Sequence, residues 1–344
     1  MEESLDTVIV GAGVIGAAVA YALKRQNRDV IVLEARERPG MGMSSRNSGV
    51  VHAGLYYPAD SLKTRFCRRG RQLLLDFATN HGVAFQQTGK YLVANSEAEM
   101  RYLAWLQQNA RDVPLYETEA VPDGIQSQKT LFSPNSGIVD VHGFLEALTS
   151  ASEATYLFGQ EVEQIEVTPD AVTLQVNGEW VRAALVINCA GLGAARFAGE
   201  SVWYAQGAYA QVSVPQDLNL PHLIYPAVPK GSPSLGIHFT RNIHGEAYLG
   251  PDVEWIDREQ YGVDESRMDR FLRAARSYLP WLTLDYLQPG YAGIRPKRAP
   301  EGFRDFAFKL EGRPPRVVHC LGIESPGLTA ALAIGEYVAG LVST

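Results

Sequence analysis

The rhythm of apolar positions changes several times along this chain. A short apolar run, Thr7 to Val10, meets Gly11-Ala12-Gly13-Val14-Ile15-Gly16. An apolar-rich stretch with helical character follows from Ala17 to Leu23, and a second apolar run, Val30 to Leu33, ends in Glu34. Short unbroken apolar runs bounded by turn residues predict buried strands, and the longer stretch between them predicts a helix. Residues 39–54 are rich in Gly and Ser and read as loop with a short helix. Leu62, Phe66, Leu73, Leu74 and Phe77 then recur on one face of a helix over Ser61 to Asn80. Tyr91 to Ala94 predicts a strand. Ser96 with Glu99 three residues on predicts a capping box for a helix through Asn109. Ser133 to Gly137 reads as a turn, and Val141 to Ala151 as a further helix.

From Tyr156 the period falls to two. Val162 to Val167, Ala171 to Val176 and Trp180 to Ala184 alternate apolar with polar residues, and Asn177-Gly178 is a hairpin turn, so a three-stranded antiparallel meander is expected. Leu185 to Gly191 reads as a separate buried strand running into small residues. Residues 202–214, 223–229, 235–239 and 246–250 read as strands of a second sheet. Asp264 to Leu279 reads as an amphipathic helix with Met268, Phe271, Leu272 and Ala275 inward. Val317 to Leu321 is a strand that leads through Gly322 into a helix from Gly327 to Leu341. The expected fold class is α/β and α+β: a Rossmann-type domain over residues 1–80, 140–200 and 285–344, and a discontinuous second domain on a mixed or antiparallel sheet over 81–139 and 201–284.

The opening unit has the layout of a dinucleotide-binding βαβ motif. Gly11 permits a tight turn, Gly13 lets backbone approach a pyrophosphate, and Gly16 lets helix pack on strand. The helix start, with Val14 and Ile15, offers free N–H groups and a positive dipole end. Glu34, with Ala35 behind it, stands where an acid reaches the ribose hydroxyls of an adenosine. This unit alone does not separate NAD from FAD. Three further segments of small residues suit close approach by a bulky cofactor: Ser44-Ser45-Arg46-Asn47-Ser48, Ala190-Gly191, and Gly322 through Glu324, Ser325, Pro326, Gly327 and Leu328 to Thr329. Val162 and Arg295 complete the expected cofactor contacts. A helix start after Pro326 would aim its positive end at the N1–C2=O edge of a flavin and stabilise the charge that hydride transfer creates there.

The chain has 344 residues and a formal charge of −7, with no basic stripe to balance phosphate repulsion, which argues against nucleic-acid partners. The cluster Arg65, Arg68, Arg69 and Arg71 reads as a solvated helix face. Cys67, Cys189 and Cys320 lie far apart, so neither a metal site nor a disulfide framework is expected. Cys320 falls inside the last strand and reads as a small buried apolar residue rather than a flavin attachment point. No signal peptide and no membrane span is expected; the expected location is the cytoplasm, with peripheral membrane contact left open.

Taken together, these segments resemble the flavoproteins of the D-amino-acid-oxidase/glycine-oxidase superfamily, and within it the L-2-hydroxyglutarate dehydrogenases (oxidases). The resemblance is carried by Asn47 to Tyr57, Ser61-Leu62-Lys63, Gly89-Lys90, Ser136 to Val139, His222 to Pro226, Leu235 to Arg241, Leu287-Gln288-Pro289 and Gly322 to Leu328. It implies FAD, a mixed sheet over the flavin, and oxidation of a small anionic α-hydroxy acid to the keto acid. Glycerol 3-phosphate oxidation, amino-acid or secondary-amine oxidation, and a flavin-binding protein without turnover are the alternatives. With no cluster-binding spacing for an internal relay, electrons pass to an external acceptor: oxygen, a quinone or a partner protein.

Five side chains are candidates for the chemistry. His52, in the loop after the Gly/Ser-rich passage, is a base suited to neutral pH. His238 and Arg241 sit three apart on one strand, where alternation sends them to opposite faces unless the strand ends between them. Arg295, between Gly293 and Pro296, carries a planar fork that matches a carboxylate. Tyr57 is a possible hydrogen-bond donor to substrate, as is Tyr225. Lys297 and Arg298 read as solvated.

Overall fold

The computed structural model describes residues 4–168, 171–228, 236–312 and 316–343. The opening motif forms as expected: β1 (Leu5–Val10), α1 (Val14–Lys24) and β2 (Val30–Glu34), with β1 and β2 parallel. α1 follows from its composition. Val14, Ala17, Ala18, Val19, Ala20 and Leu23 are all buried, so the helix is held mainly by burial, and its own N-cap residue, Gly13, has no side chain to cap it. α2 (Leu62–His81) is capped instead by Ser61, whose side chain accepts from the Thr64 amide. β3 (Lys90–Ala94) precedes α3 (Glu97–Asn109), and α4 (Val141–Ser152) is capped by Asp140. The capping box at α3 closes one residue early: Ser96 accepts from the Glu99 amide, and the Glu99 carboxylate takes the amide of Asn95 at 2.6 Å.

β4 (Glu179–Asn188) corrects the reading of Trp180–Ala184 and Leu185–Gly191 as two strands; it is one strand of ten residues. Its first half pairs antiparallel with Val172–Val176 as the last strand of the meander. Its second half runs parallel between β1 and the C-terminal strand. Alternation in the first half and continuous apolarity in the second reflect this change of neighbours, one face solvated and then both faces covered. The eight-stranded sheet therefore runs Val162–Val167, Val172–Val176, β4, β1, β2, Thr155–Phe158, with the C-terminal strands branching from β4. Helices α1, α2 and the C-terminal helix close over it around Ile9, Val19, Leu23, Phe66, Ile187, Val318 and Ile334.

Among the described residues the second sheet has nine strands. Its central members are β5 (Trp203–Val212), β6 (Leu223–Pro226) and β7 (His238–Arg241), joined to β3, which lies parallel to β6. The strands expected over 223–229 and 235–239 are shorter or displaced, and residues 229 and 235 lie outside the described residues. The helix expected over Asp264 to Leu279 is reduced to α5 (Met268–Ala275) after a short 3-10 turn. It buries Met268, Phe271 and Ala275, with Leu272 only partly covered. β8 (Leu287–Lys297) is an eleven-residue strand that patterning did not reveal, because Pro289, Gly290, Gly293 and Pro296 break its apolar rhythm. It pairs along β5 in the second sheet, so residues 287–297, grouped above with the nucleotide-binding part, are built into the other sheet. β9 (Val317–Leu321) and α6 (Gly327–Leu341) return the chain to the first sheet.

Candidate active site

A cavity of about 1180 Å³ lies between the two sheets. It exceeds the usual range for a small-ligand cleft and has room for a dinucleotide with a substrate beside it. Behind the part of its wall formed by Val14 and Ile15 lies the Gly-rich turn. Gly11 has φ of +101°, and a Cβ there would lie 2.6 Å from the Cys189 carbonyl oxygen; a Cβ at Gly16 would lie 2.0 Å from the Gly11 oxygen. Both positions accept only glycine, as a cradle for pyrophosphate requires. The Glu34 carboxylate accepts from the Ala12 amide at 2.8 Å and the Arg36 amide at 2.9 Å, so it fixes the Gly-rich turn. The Ser44 hydroxyl accepts from the Val14 amide at 2.9 Å, linking the start of α1 to the next segment. Asn47 folds that segment, donating to the Ser44 carbonyl and accepting from the Gly49 amide. Val14, Ile15, Ser44, Arg46, Asn47 and Ser48 all line the cavity, and the Arg46 guanidinium lies 4.1 Å from the Tyr261 ring centre.

At the far end, Glu324, Ser325, Pro326, Gly327 and Leu328 bring the start of α6 to the cavity. Among the described residues no side chain caps that helix, and the Gly327 amide donates back to the Glu324 carbonyl at 2.6 Å. Glu324 is no free acid. Burial alone would raise its carboxyl pKa, but Lys63 at 2.8 Å and Lys297 at 2.9 Å hold it below the usual range. Lys297, read as solvated, is therefore an ion-pair partner, and Arg298 reaches Glu200 at 3.5 Å. In the basic cluster, Arg65 and Arg69 are exposed as expected, whereas Arg68 and Arg71 pin neighbouring loops through the Gly54 and Asn135 carbonyls.

His52, Tyr57, His238 and Arg295 converge on the cavity. The His52 amide donates to the Thr329 hydroxyl at 3.1 Å, and its Nε2 lies 3.4 Å from the Ser325 hydroxyl. Burial, followed by the nearby charges of Lys90 and His238, keeps the His52 pKa well below its ordinary value, so its imidazole is neutral and able to accept a proton. The Tyr57 hydroxyl donates to the Ser325 carbonyl at 2.9 Å, and burial first, then Glu324, pushes its pKa up. Tyr57 thus positions the Ser325 loop. His238 is buried and stacks on Tyr225 with ring centres 3.5 Å apart. Arg295 projects from β8 past Gly207 on the neighbouring strand, where a Cβ would stand 2.8 Å from its Nη2. No carboxylate pairs with it among the described residues, which leaves its fork available.

Arg241 is a correction. Alternation along β7 holds, and its guanidinium turns away from the cavity to donate to the Leu220 carbonyl at 2.8 Å and the Gly245 carbonyl at 2.7 Å. Val162 is a second: its side chain is buried in the first sheet's core and its carbonyl accepts from Arg196 at 2.8 Å. Thr329 is buried, and its hydroxyl joins His52 to the Val50 carbonyl rather than facing the cavity. Gly11, Gly13, Gly16, Glu34, Ala35, Ser45, Ala190, Gly191 and Gly322 belong to the surrounding strands and turns and are not among the cavity-lining residues. Sequence reasoning missed Tyr209, Lys63 and Lys90. The first two line the cavity, and Lys90 lies behind its aromatic wall, 4.0 Å from the Tyr225 ring centre. A charged residue at the head of an otherwise apolar strand was the available signal for Lys90.

Comparison with known proteins agrees with this architecture. The FAD dependent oxidoreductase (DAO) family model matches residues 6–341. The mitochondrial L-2-hydroxyglutarate dehydrogenase of Arabidopsis thaliana is 33% identical, over 98% of this chain and 83% of that protein. The L-2-hydroxyglutarate dehydrogenase of Escherichia coli K12 is 29% identical, over 98% and 93%. Among solved structures, the L-alpha-glycerophosphate oxidase of Mycoplasma pneumoniae with FAD bound superposes with a TM-score of 0.89 at 22% identity, covering 99% of this chain and 95% of that one. Glycine oxidase from Geobacillus kaustophilus gives 0.81 at 21% identity, covering 98% and 94%. The glycine cradle, the start of α6 and the cavity between them fit the cofactor these proteins share, and the chain belongs to the FAD dependent oxidoreductase family.

Proposed function

We propose that this protein oxidises L-2-hydroxyglutarate to 2-oxoglutarate. The observation that carries the reading is the meeting, in one cavity, of a neutral buried imidazole and an arginine fork beside the FAD cradle. When bound, FAD supplies the acceptor for a hydride from C2. Arg295 holds the substrate's C1 carboxylate through paired N–H donors, which fixes the C2 hydrogen in one direction. His52 accepts the hydroxyl proton; without that acceptor, hydride loss would leave positive charge on C2. Ser325, within reach of His52 Nε2, orients the ring. Val14, Ile15, Ser44, Arg46, Asn47, Ser48 and the start of α6 hold the cofactor, with the acceptor of its electrons external: oxygen, a quinone or an electron-transfer protein. No helix among the described residues is long and apolar enough to cross a membrane, and a cytoplasmic location belongs to this reading.

Initial rates with a dye as electron acceptor test it. Turnover of L-2-hydroxyglutarate with 2-oxoglutarate as product is the expected result. Turnover confined to L-glycerol 3-phosphate or to glycine would overturn it.

A further inference from the structure

Lys90 has no part in the chemistry described so far, yet its placement is unusual. It is 0% exposed, and its Nζ finds no hydrogen-bond partner among the described residues. The ammonium lies 4.0 Å from the centre of the Tyr225 ring and 5.1 Å from that of Tyr56. Both tyrosines line the cavity, and Tyr225 also stacks on His238, which lines it too. Lys90 therefore stands directly behind the aromatic wall. The titratable groups around it are Cys67 from α2, His52 and Tyr56 from the segment before α2, Tyr225 from β6, and His238 from β7, which reaches it through the Tyr225 ring. None is a carboxylate. Burial pushes the Cys67 thiol up to about 12, so it stays neutral and provides no counter-charge. A buried ammonium with only ring faces for company is costly to keep. Its field, in turn, is poorly screened by water on the side of the cavity.

We propose that Lys90 is a specificity-determining residue of this site: a cation held behind the Tyr56–Tyr225 wall that favours a substrate with two carboxylates over one with a single negative charge. The inference rests on the dicarboxylate reading above and deepens it. Arg295 takes one carboxylate by contact, and Lys90 acts on the total negative charge in the cavity through the wall.

The proposal has a signature that a structural lysine would lack. Burial brings the Lys90 pKa down to about 7. An anion entering the cavity favours the charged form, so binding draws a proton onto Lys90 near neutral pH and weakens as pH rises through this range. His52 does not interfere, since it stays neutral there.

The probe is glutarate, which has both carboxylates and no hydroxyl to oxidise, titrated into the FAD-loaded enzyme. Calorimetry at pH 7.5 in two buffers of different ionisation enthalpy reads the proton directly. The wild type is expected to take up about half a proton per glutarate, the amount a one-unit rise from near neutrality produces. Lys90→Met, which replaces a buried charge by an apolar chain of similar length, is expected to take up none. It should bind glutarate about 10-fold more weakly at pH 6.5 and about equally at pH 8.5. Glutarate binding without proton uptake in the wild type, or uptake that survives Lys90→Met, would overturn the proposal while leaving the dicarboxylate reading intact. No heat and no change in flavin absorbance with glutarate would overturn that reading and the role of Lys90 with it. Absence of proton uptake in the wild type overturns the proposal even where the variant fails to fold.

Discussion

The two walls of the cavity are built by different means. The cradle side rests on backbone: in the turn behind Val14 and Ile15, Gly11 and Gly16 admit no side chain and Glu34 fixes the loop, and no side chain of the described residues caps the start of α6. The substrate wall is side chains from strands distant in sequence: Tyr225 on β6, His238 on β7 and Arg295 on β8, with His52 reaching across from the cradle side. A site made of amides depends on where glycines stand along one short segment. A site made of side chains depends on which strands become neighbours and on which face each residue lies. Substitutions in the first wall should therefore remove the cofactor altogether, and those in the second should leave a yellow protein that works poorly.

The largest effect is expected in the cradle. Gly13→Asp places a carboxylate where Ser44 and the start of α1 close on the pyrophosphate path; a Cβ there already stands 3.1 Å from the Ser44 hydroxyl. Purified Gly13→Asp should carry no flavin by absorbance, and full flavin occupancy would break the comparison at its root.

Next comes the base. His52→Gln should keep its flavin and slow flavin reduction by roughly 10²–10⁴-fold, the usual range for a lost general base. A histidine without partners titrates near 6.5. Burial, Lys90 and His238 move His52 lower, so the wild-type rate of flavin reduction at saturating substrate should be level across neutral pH. It should fall only below about 6.5 as His52 takes up a proton. A limb centred above that value, and preserved in His52→Gln, would assign the proton to another group.

Arg295→Ala should lower kcat/KM by roughly 30- to 1000-fold, mainly through KM, because a desolvated bidentate contact is lost. Arg295→Lys should recover only part of it, since a point charge does not reproduce the fork. The smallest effect belongs to Arg241. Its donors are spent on the Leu220 and Gly245 carbonyls, so Arg241→Ala should leave kcat/KM within about 3-fold and show instead in thermal unfolding, by about 1 kcal/mol. A large loss of activity there would return Arg241 to the site.

The same difference explains what could be read from the sequence. The βαβ unit, the Ser96 cap, the meander turn at Asn177-Gly178 and the C-terminal strand and helix are local patterns, and each forms where its residues stand. β8 was hidden because its prolines and glycines imitate a loop. Its extended path is held by nine register pairs with β5, a fact of tertiary neighbourhood. Lys63, Lys297 and Glu324 look like surface charges in sequence; only the fold brings two lysines onto one buried carboxylate. Lys90 stands within a resembling stretch, but its burial depends on Tyr56 and Tyr225 arriving from segments on either side of it. Arg241 shows the converse: strand alternation already separated it from His238, and the structure follows that rule.

The most direct test of the account mixes the FAD-loaded protein with L-2-hydroxyglutarate in the absence of oxygen and follows the oxidised flavin band. The account predicts bleaching with one 2-oxoglutarate formed per flavin, and a flavin left yellow by the D enantiomer. A flavin that stays oxidised with L-2-hydroxyglutarate, yet bleaches with glycine or L-glycerol 3-phosphate, would contradict it.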